Sequence, residues 1–328
     1  MKPTVLLFLL FVSTIVYSQN IQYKISKRNN KFIKEVSKII KEKSLFSGSL
    51  NWKQIPEELK KLPFENNDSL DHNLVLKFFI EKLKSVGDKH SLYLTQTDIR
   101  SFTSANSEIK LPESEYLGSG IGFIKVPRCM TFNKVADKNF ANSIRSQIKK
   151  LDIENEIIGW VVDLRNNNGG NMWPMVAGLN ALMNDGTVGY LVGTENRKPQ
   201  EWNAENGKIN YSKEIVDTYK IKNINAKIAV LINSKTASSG EMTAITFIGL
   251  PNVKLFGQPS AGYTTANSSF YLSDGTQFFL ATKFVADRTF KTYPDKIIPD
   301  VIINIQSSLT NDETLEYAKK WLLRTDEK

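Results

Sequence analysis

Ile228-Ala-Val-Leu-Ile-Asn-Ser-Lys-Thr-Ala-Ser-Ser-Gly-Glu241 is the stretch on which the fold turns. Ile228 to Ile232 are apolar without alternation, the pattern of a strand buried on both faces. Small and polar residues follow from Asn233, as a tight turn requires. Gly240 to Ile248 then read as a helix. A buried strand that turns directly into a helix is the building unit of a parallel sheet. A serine in such a turn presents its hydroxyl to solvent. The next backbone N–H, that of Ser239, belongs to a helix start, where unpaired N–H groups and partial positive charge gather. Those groups can stabilise an oxyanion. Serine is also favoured as a helix cap, and the elbow pattern Gly-x-Ser-x-Gly is not matched. Spacing alone leaves Ser238 open between nucleophile and cap.

A second unit of the same kind lies upstream, Gly159-Trp-Val-Val-Asp-Leu-Arg-Asn-Asn-Asn-Gly-Gly-Asn171. A hydrophobic strand ends in a charged pair, a glycine turn and a helix. Its backbone N–H groups can hold a phosphate or an oxyanion, or simply make a turn. No Gly-Lys-Ser/Thr follows, so it is not a Walker loop. Around these units the texture alternates. Strands are expected at Ile121–Val126, Ile157–Leu164, Val188–Val192, Lys227–Ile232, Val253–Gly257, Ser269–Leu272 and Gln277–Lys283. Helices are expected at Phe140–Leu151, Trp173–Met183 and Gly240–Ile248. This is an α/β pattern.

The domain expectation runs outward from that core. Residues 1–18 read as a signal peptide: Lys2, then an apolar run from Val5 to Val16 that is short for a membrane span, then Ser18 at a cut. The exported chain starts near Gln19 and is periplasmic or secreted, with no stable membrane anchor. Residues 19–100 form a small helical domain. Phe32, Ile33, Val36, Ile39 and Ile40 recur at helical spacing, as do Leu70, Leu74, Phe78 and Leu83 behind a cap at Asp68 or Ser69. Residues 101–116, rich in Ser and Glu, read as a linker. Residues 117–306 form the α/β core, and residues 307–328 a C-terminal helix with Thr310 and Glu313 as its capping box.

The chain has 328 residues, a net charge of +9, one cysteine and two histidines. Its lysines, such as Lys34, Lys60, Lys149 and Lys320, are scattered without interleaved aromatics, which argues against a nucleic-acid partner. Cys129 alone forms neither an internal disulfide nor a cysteine-based zinc site, and reads as buried filler. Histidine chemistry must come from His72 or His90. His72 sits inside a helix and reads as surface. His90 stands in Gly87-Asp-Lys-His90.

Taken together, Asp163-Leu-Arg-Asn-Asn-Asn-Gly-Gly170, Asn233-Ser-Lys-Thr-Ala-Ser-Ser-Gly-Glu241 and Gly257-Gln-Pro-Ser-Ala-Gly262 resemble the tail-specific (C-terminal processing) proteases. The Gly87 to His90 segment, Tyr293 and Pro299-Asp300 bring the likeness closer to the tricorn-type branch. The resemblance implies a Clp protease/crotonase-like core and a serine peptidase acting on a peptide or protein, with no metal or organic cofactor. It implies Ser238 as nucleophile, His90 as base, and the N–H groups of Gly170 and Ser239 as oxyanion donors. In the processing branch a lysine base follows the nucleophile by 25 residues; Tyr263 stands there instead. The branch's serine before the histidine is replaced by Lys89. Its glutamate before the final Pro-Asp is absent, which leaves Asp295 or Ser91 to orient His90. The same core also serves non-catalytic lipophile- or peptide-binding proteins, the alternative function.

Overall fold

The computed structural model describes residues 25–104, 110–130, 133–193, 198–205, 208–210, 218–304 and 312–324. The expected signal segment and Thr310 lie outside them. Within these residues the chain first forms α1 (Lys27–Lys43), α2 (Ile55–Leu59), α3 (Asp68–Ser85), β1 (Leu92–Leu94), α4 (Gln96–Ser104), β2 (Glu113–Tyr116) and β3 (Ile121–Lys125). It continues with α5 (Lys134–Glu154), β4 (Gly159–Asp163), α6 (Met172–Leu179), β5 (Gly186–Val192), β6 (Gln200–Glu205), β7 (Lys208–Ile209) and β8 (Lys227–Ile232). It closes with α7 (Ser239–Ile245), β9 (Val253–Gly257), β10 (Thr265–Tyr271), β11 (Gln277–Ala286), β12 (Val301–Ile302) and α8 (Glu313–Leu322).

Among the described residues the strands make two sheets. One runs β12-β9-β8-β4-β3-β2 and is parallel except for β2 against β3. The other runs β1-β11-β5-β6-β7, with β10 also on β11, and is antiparallel. The central strands β4 and β8 are buried at every residue but Lys227, because helices cover both faces. Ile144 and Ile148 of α5 and Val176 of α6 pack with Trp160, Val162 and Val230 on one face. Ala318 and Leu322 of α8 pack with Val161, Ala229 and Leu231 on the other. Each fully buried aliphatic side chain contributes roughly 1.5–3 kcal/mol, so these two layers fix the sheet. The result is an α/β core with a helical N-terminal part.

That helical part is not separate from the sheets. Phe32, Val36, Ile40, Val75, Phe79 and Leu83 share a core with Phe278 and Leu280 of β11. Asn67, rather than Asp68 or Ser69, caps α3: its Oδ1 accepts the N–H groups of Ser69 and Leu70. The buried face of α3 is Asp71, Val75, Leu76, Phe79, Ile80 and Leu83; Leu70 is exposed. The expected surface His72 is instead half-buried. It stacks on Phe32 at 3.8 Å and faces Asp274 through Nδ1 at 3.1 Å. The expected linker at 101–116 holds the end of α4 and the edge strand β2, whose polar Glu113-Ser-Glu-Tyr116 carries no strand signal. Asp312 caps α8, so Glu313 is its first residue and not the third of a capping box. Cys129 is buried and forms no disulfide among the described residues.

Candidate active site

Because β4 and β8 are parallel neighbours, their C-terminal loops emerge side by side at one sheet edge, where α/β folds place their sites. The two loops are stitched together. Ala237 N–H donates to Asn167 O at 2.9 Å, Asn166 N–H to Asn233 Oδ1 at 3.0 Å, and Thr236 Oγ1 to Leu164 O at 2.9 Å. The Asn167 amide donates to Val126 O and Pro127 O, and its Oδ1 accepts Gly169 N–H. These bonds press the glycine pair against Ser238. A Cβ on Gly169 would stand 2.9 Å from Ser238 Cβ, and one on Gly170 would stand 2.1 Å from Cys129 O, with φ at +112° and +106°. Only glycine fits both the contacts and the backbone.

Ser238 itself has φ 52° and ψ −121°, a conformation that costs a non-glycine residue about 1–3 kcal/mol. Its N–H donates to Glu241 Oε2 at 2.8 Å. The Ser239 hydroxyl donates to Gly170 O at 2.6 Å. The N–H groups of Gly170 and Ser239 meet no acceptor among the described residues, and both residues line the same cleft as Ser238.

His90 arrives from the loop after α3. Asp88, buried, accepts the N–H groups of His90 and Ser91 at 2.9 Å each. His90 Nε2 lies 2.9 Å from Ser238 Oγ. Its Nδ1 lies 2.7 Å from Thr265 O and 3.2 Å from Thr265 Oγ1. A carbonyl oxygen only accepts, so Nδ1 carries the proton and Nε2 turns its lone pair to the serine hydroxyl. Burial pushes the imidazole below its ordinary pKa; the Thr265 carbonyl and the Asp88 charge oppose that shift.

The acid and the hydroxyl expected behind His90, Asp295 and Ser91, lie elsewhere. Asp295 takes the Lys89 ammonium at 2.9 Å on the surface, and that bond lowers its pKa. Ser91 donates to Asp88 and accepts Ala281 N–H. The Tyr263 ring stands edge-on to His90, centroids 5.7 Å apart. Thr265 takes the outer place, a role the sequence does not signal because it acts through the main chain. Glu241 was also missed. The Ser238-x-x-Glu241 spacing is its signal, since an acid three residues after a serine reaches back to that serine's N–H at a helix start.

The Ser238–His90 pair is shared by two clefts. One, of about 440 Å³, is walled by Met172, Trp173, Leu191, Trp202, Met242 and Phe279 beside Gly170 and Ser239. The other, of about 510 Å³, is lined by Ile80, Lys84, Lys89, Tyr93, Asn168 and Tyr263. Among the described residues no helix is long and apolar enough to cross a membrane.

The chain belongs to peptidase family S41, whose model matches residues 120–303, and its core is of the Clp protease/crotonase-like kind. It is 37% identical over 320 residues to the nisin-resistance protein of Lactococcus lactis subsp. lactis, covering 95% of this chain and 94% of that one. It is 27% identical to the chloroplastic carboxyl-terminal-processing peptidase 2 of Arabidopsis thaliana, over 51% of this chain and 28% of that protein. A lipoprotein from Streptococcus agalactiae superposes with a TM-score of 0.74 at 28% identity, over 92% of this chain and 98% of that one. The photosystem II D1 C-terminal processing protease shares the fold, with a TM-score of 0.60 at 12% identity over 85% and 94% of the two chains.

Proposed function

We propose that this chain is an exported serine peptidase in which Ser238 attacks and His90 acts as the base. The observation that carries the reading is the 2.9 Å approach of His90 Nε2 to Ser238 Oγ, with Nδ1 committed to Thr265 O. As Ser238 Oγ bonds to the peptide carbonyl carbon, its proton passes to Nε2. The carbonyl oxygen becomes an oxyanion received by the N–H groups of Gly170 and Ser239. The imidazolium then protonates the leaving amine, and water, deprotonated by His90, releases the acyl group. Asp295 and Ser91 take no part, and no metal or organic cofactor enters the scheme.

The apolar cleft beside Gly170 and Ser239 suits an apolar side chain of the substrate. The partner is a peptide, and the name of the 37% identical relative makes nisin the first one to test. The apolar run from Val5 to Val16 supports export to the periplasm or beyond.

The test is covalent labelling by a fluorophosphonate probe together with mass spectrometry of nisin and of peptide libraries after incubation. Wild type labels at Ser238 and cleaves peptide bonds, while Ser238→Ala and His90→Ala lose both activities by several orders of magnitude. Unlabelled, inert wild type that still binds apolar ligands would make the chain a binding protein on the same fold.

A further inference from the structure

The nucleophile and its base are carried by segments far apart in sequence, and a single buried carboxylate touches both supports. Glu241 is fully buried. Its Oε2 accepts Ser238 N–H and Tyr263 N–H, each at 2.8 Å. Its Oε1 accepts Gly262 N–H at 2.8 Å and the Ser260 hydroxyl at 2.5 Å. All four donors converge on one side chain. The first belongs to the turn that holds Ser238 at positive φ. The other three belong to the segment that leads, two residues after Tyr263, to the Thr265 carbonyl holding His90 Nδ1.

We propose that Glu241 is a positioning residue that sets the Ser238–His90 separation, acting as the joint between the nucleophile turn and the strand that orients the base. The inference rests on the Ser/His reading given above. A carboxylate suits the place because four donors need an acceptor-only group. A glutamine has the same shape, but its NH₂ must face two donors, whichever way it turns. One pair of N–H or O–H groups is then left opposed, and the turn at Ser238 or the Gly262–Tyr263 backbone moves away. Hydrogen bonds to a charged acceptor are also about twice as strong as neutral ones. A residue that served only to hold the fold together would change the amount of folded protein. A joint between nucleophile and base changes the rate of each folded molecule, since small misplacements of reacting groups cost about a hundredfold.

The experiment compares wild type, Glu241→Gln, Glu241→Asp and Ser260→Ala in the full exported chain. The readouts are kcat and KM on a cleaved peptide, the rate of fluorophosphonate labelling per folded molecule, and the low-field proton NMR signal of His90 Nδ1–H. His72→Asn, which removes the other imidazole, assigns that signal. Glu241→Gln is expected to lose at least a hundredfold in kcat and in labelling rate with KM within about threefold, and to shift or broaden the His90 proton. Glu241→Asp, which keeps the charge but draws it back by one methylene, is expected to recover part of the rate. Ser260→Ala, which removes one of four donors, is expected to stay within tenfold. Wild-type kcat and an unmoved His90 proton in folded Glu241→Gln overturn the proposal. If Glu241→Gln does not fold, wild-type kcat in Glu241→Asp overturns it. If wild type neither labels nor cleaves, the peptidase reading has failed. The His90 proton then decides the positioning role by itself: unmoved in the Glu241 variants, it overturns the joint.

Discussion

His90 Nδ1 donates to the main-chain carbonyl of Thr265 across 2.7 Å. A carbonyl orients the ring and fixes its tautomer as a carboxylate would, but brings no full negative charge. The imidazolium formed during catalysis is therefore less stabilised, and burial already disfavours it. The base stays neutral, hence competent, to lower pH than an ordinary histidine.

The pH dependence follows. The rate, as kcat/KM, is expected to rise with pH through one ionisation lying below the ordinary histidine value of about 6.5. Stability has the same sign. The unfolded imidazole binds its proton near that value and the folded one only below it, so the unfolded state holds more protons in between. The contribution of His90 is intact above about 6.5 and is lost as pH falls through the folded pKa. His90→Ala should flatten that part of the stability curve. A rate limb well above 7 contradicts the assignment.

Thr265 separates main chain from side chain. Thr265→Ala keeps the carbonyl at 2.7 Å and loses only the hydroxyl contact at 3.2 Å. Its kcat/KM is expected to fall less than about tenfold, the scale of one neutral hydrogen bond. A loss as large as that of His90→Ala in steady-state assays would shift the orienting role to the hydroxyl.

Asp295 is the acid that the segment before Pro299-Asp300 suggests as the third member. Its carboxylate and the Lys89 ammonium are both more than half exposed. An exposed pair of this kind contributes little, under about 1 kcal/mol before screening. Asp295→Asn is therefore expected to leave kcat within about threefold and the melting temperature nearly unchanged. A hundredfold loss in kcat would restore Asp295 to the relay.

What could be read from the sequence tracks how strongly each element is constrained by burial. β4 and β8 are legible because both faces are covered, so their apolar runs have no interruption. β2 is an edge strand of Glu, Ser, Glu and Tyr, and α4 ends within the Ser-rich stretch taken for a linker; neither carries a core pattern. Leu70 follows the helical spacing yet is exposed, since the cap at Asn67 and the packing on β11 turn Val75, Phe79 and Leu83 inward. At the site, Ser238 and His90 were visible as side chains in motif context. Thr265 was not, because a carbonyl has no sequence signature. His72 departs from its surface expectation because a lone histidine in an amphipathic helix gives no hint of Phe32 and Asp274 across the chain.

Gly170 offers the sharpest test of the oxyanion site. Its N–H meets no acceptor among the described residues, while the peptide on its other side is pinned at both ends. Asn171 N–H donates to Cys129 O at 2.7 Å, and Gly170 O accepts the Ser239 hydroxyl at 2.6 Å. That bracing aims the free N–H without using it. A methyl group at Gly170 would meet Cys129 O at 2.1 Å on a backbone at φ +106°, so Gly170→Ala must rotate the loop and withdraw the donor. Loss of one oxyanion donor costs about a hundred- to a thousandfold in kcat. The expectation is a fall of that size in Gly170→Ala, with Ser238 and His90 still in contact and probe labelling slowed in parallel. Ser239→Ala keeps its own N–H and loses only the brace on Gly170 O, so its loss should be smaller, about tenfold. Steady-state kinetics on folded protein, verified by circular dichroism, separates the two. Wild-type kcat in folded Gly170→Ala would show that the developing charge is held by other donors.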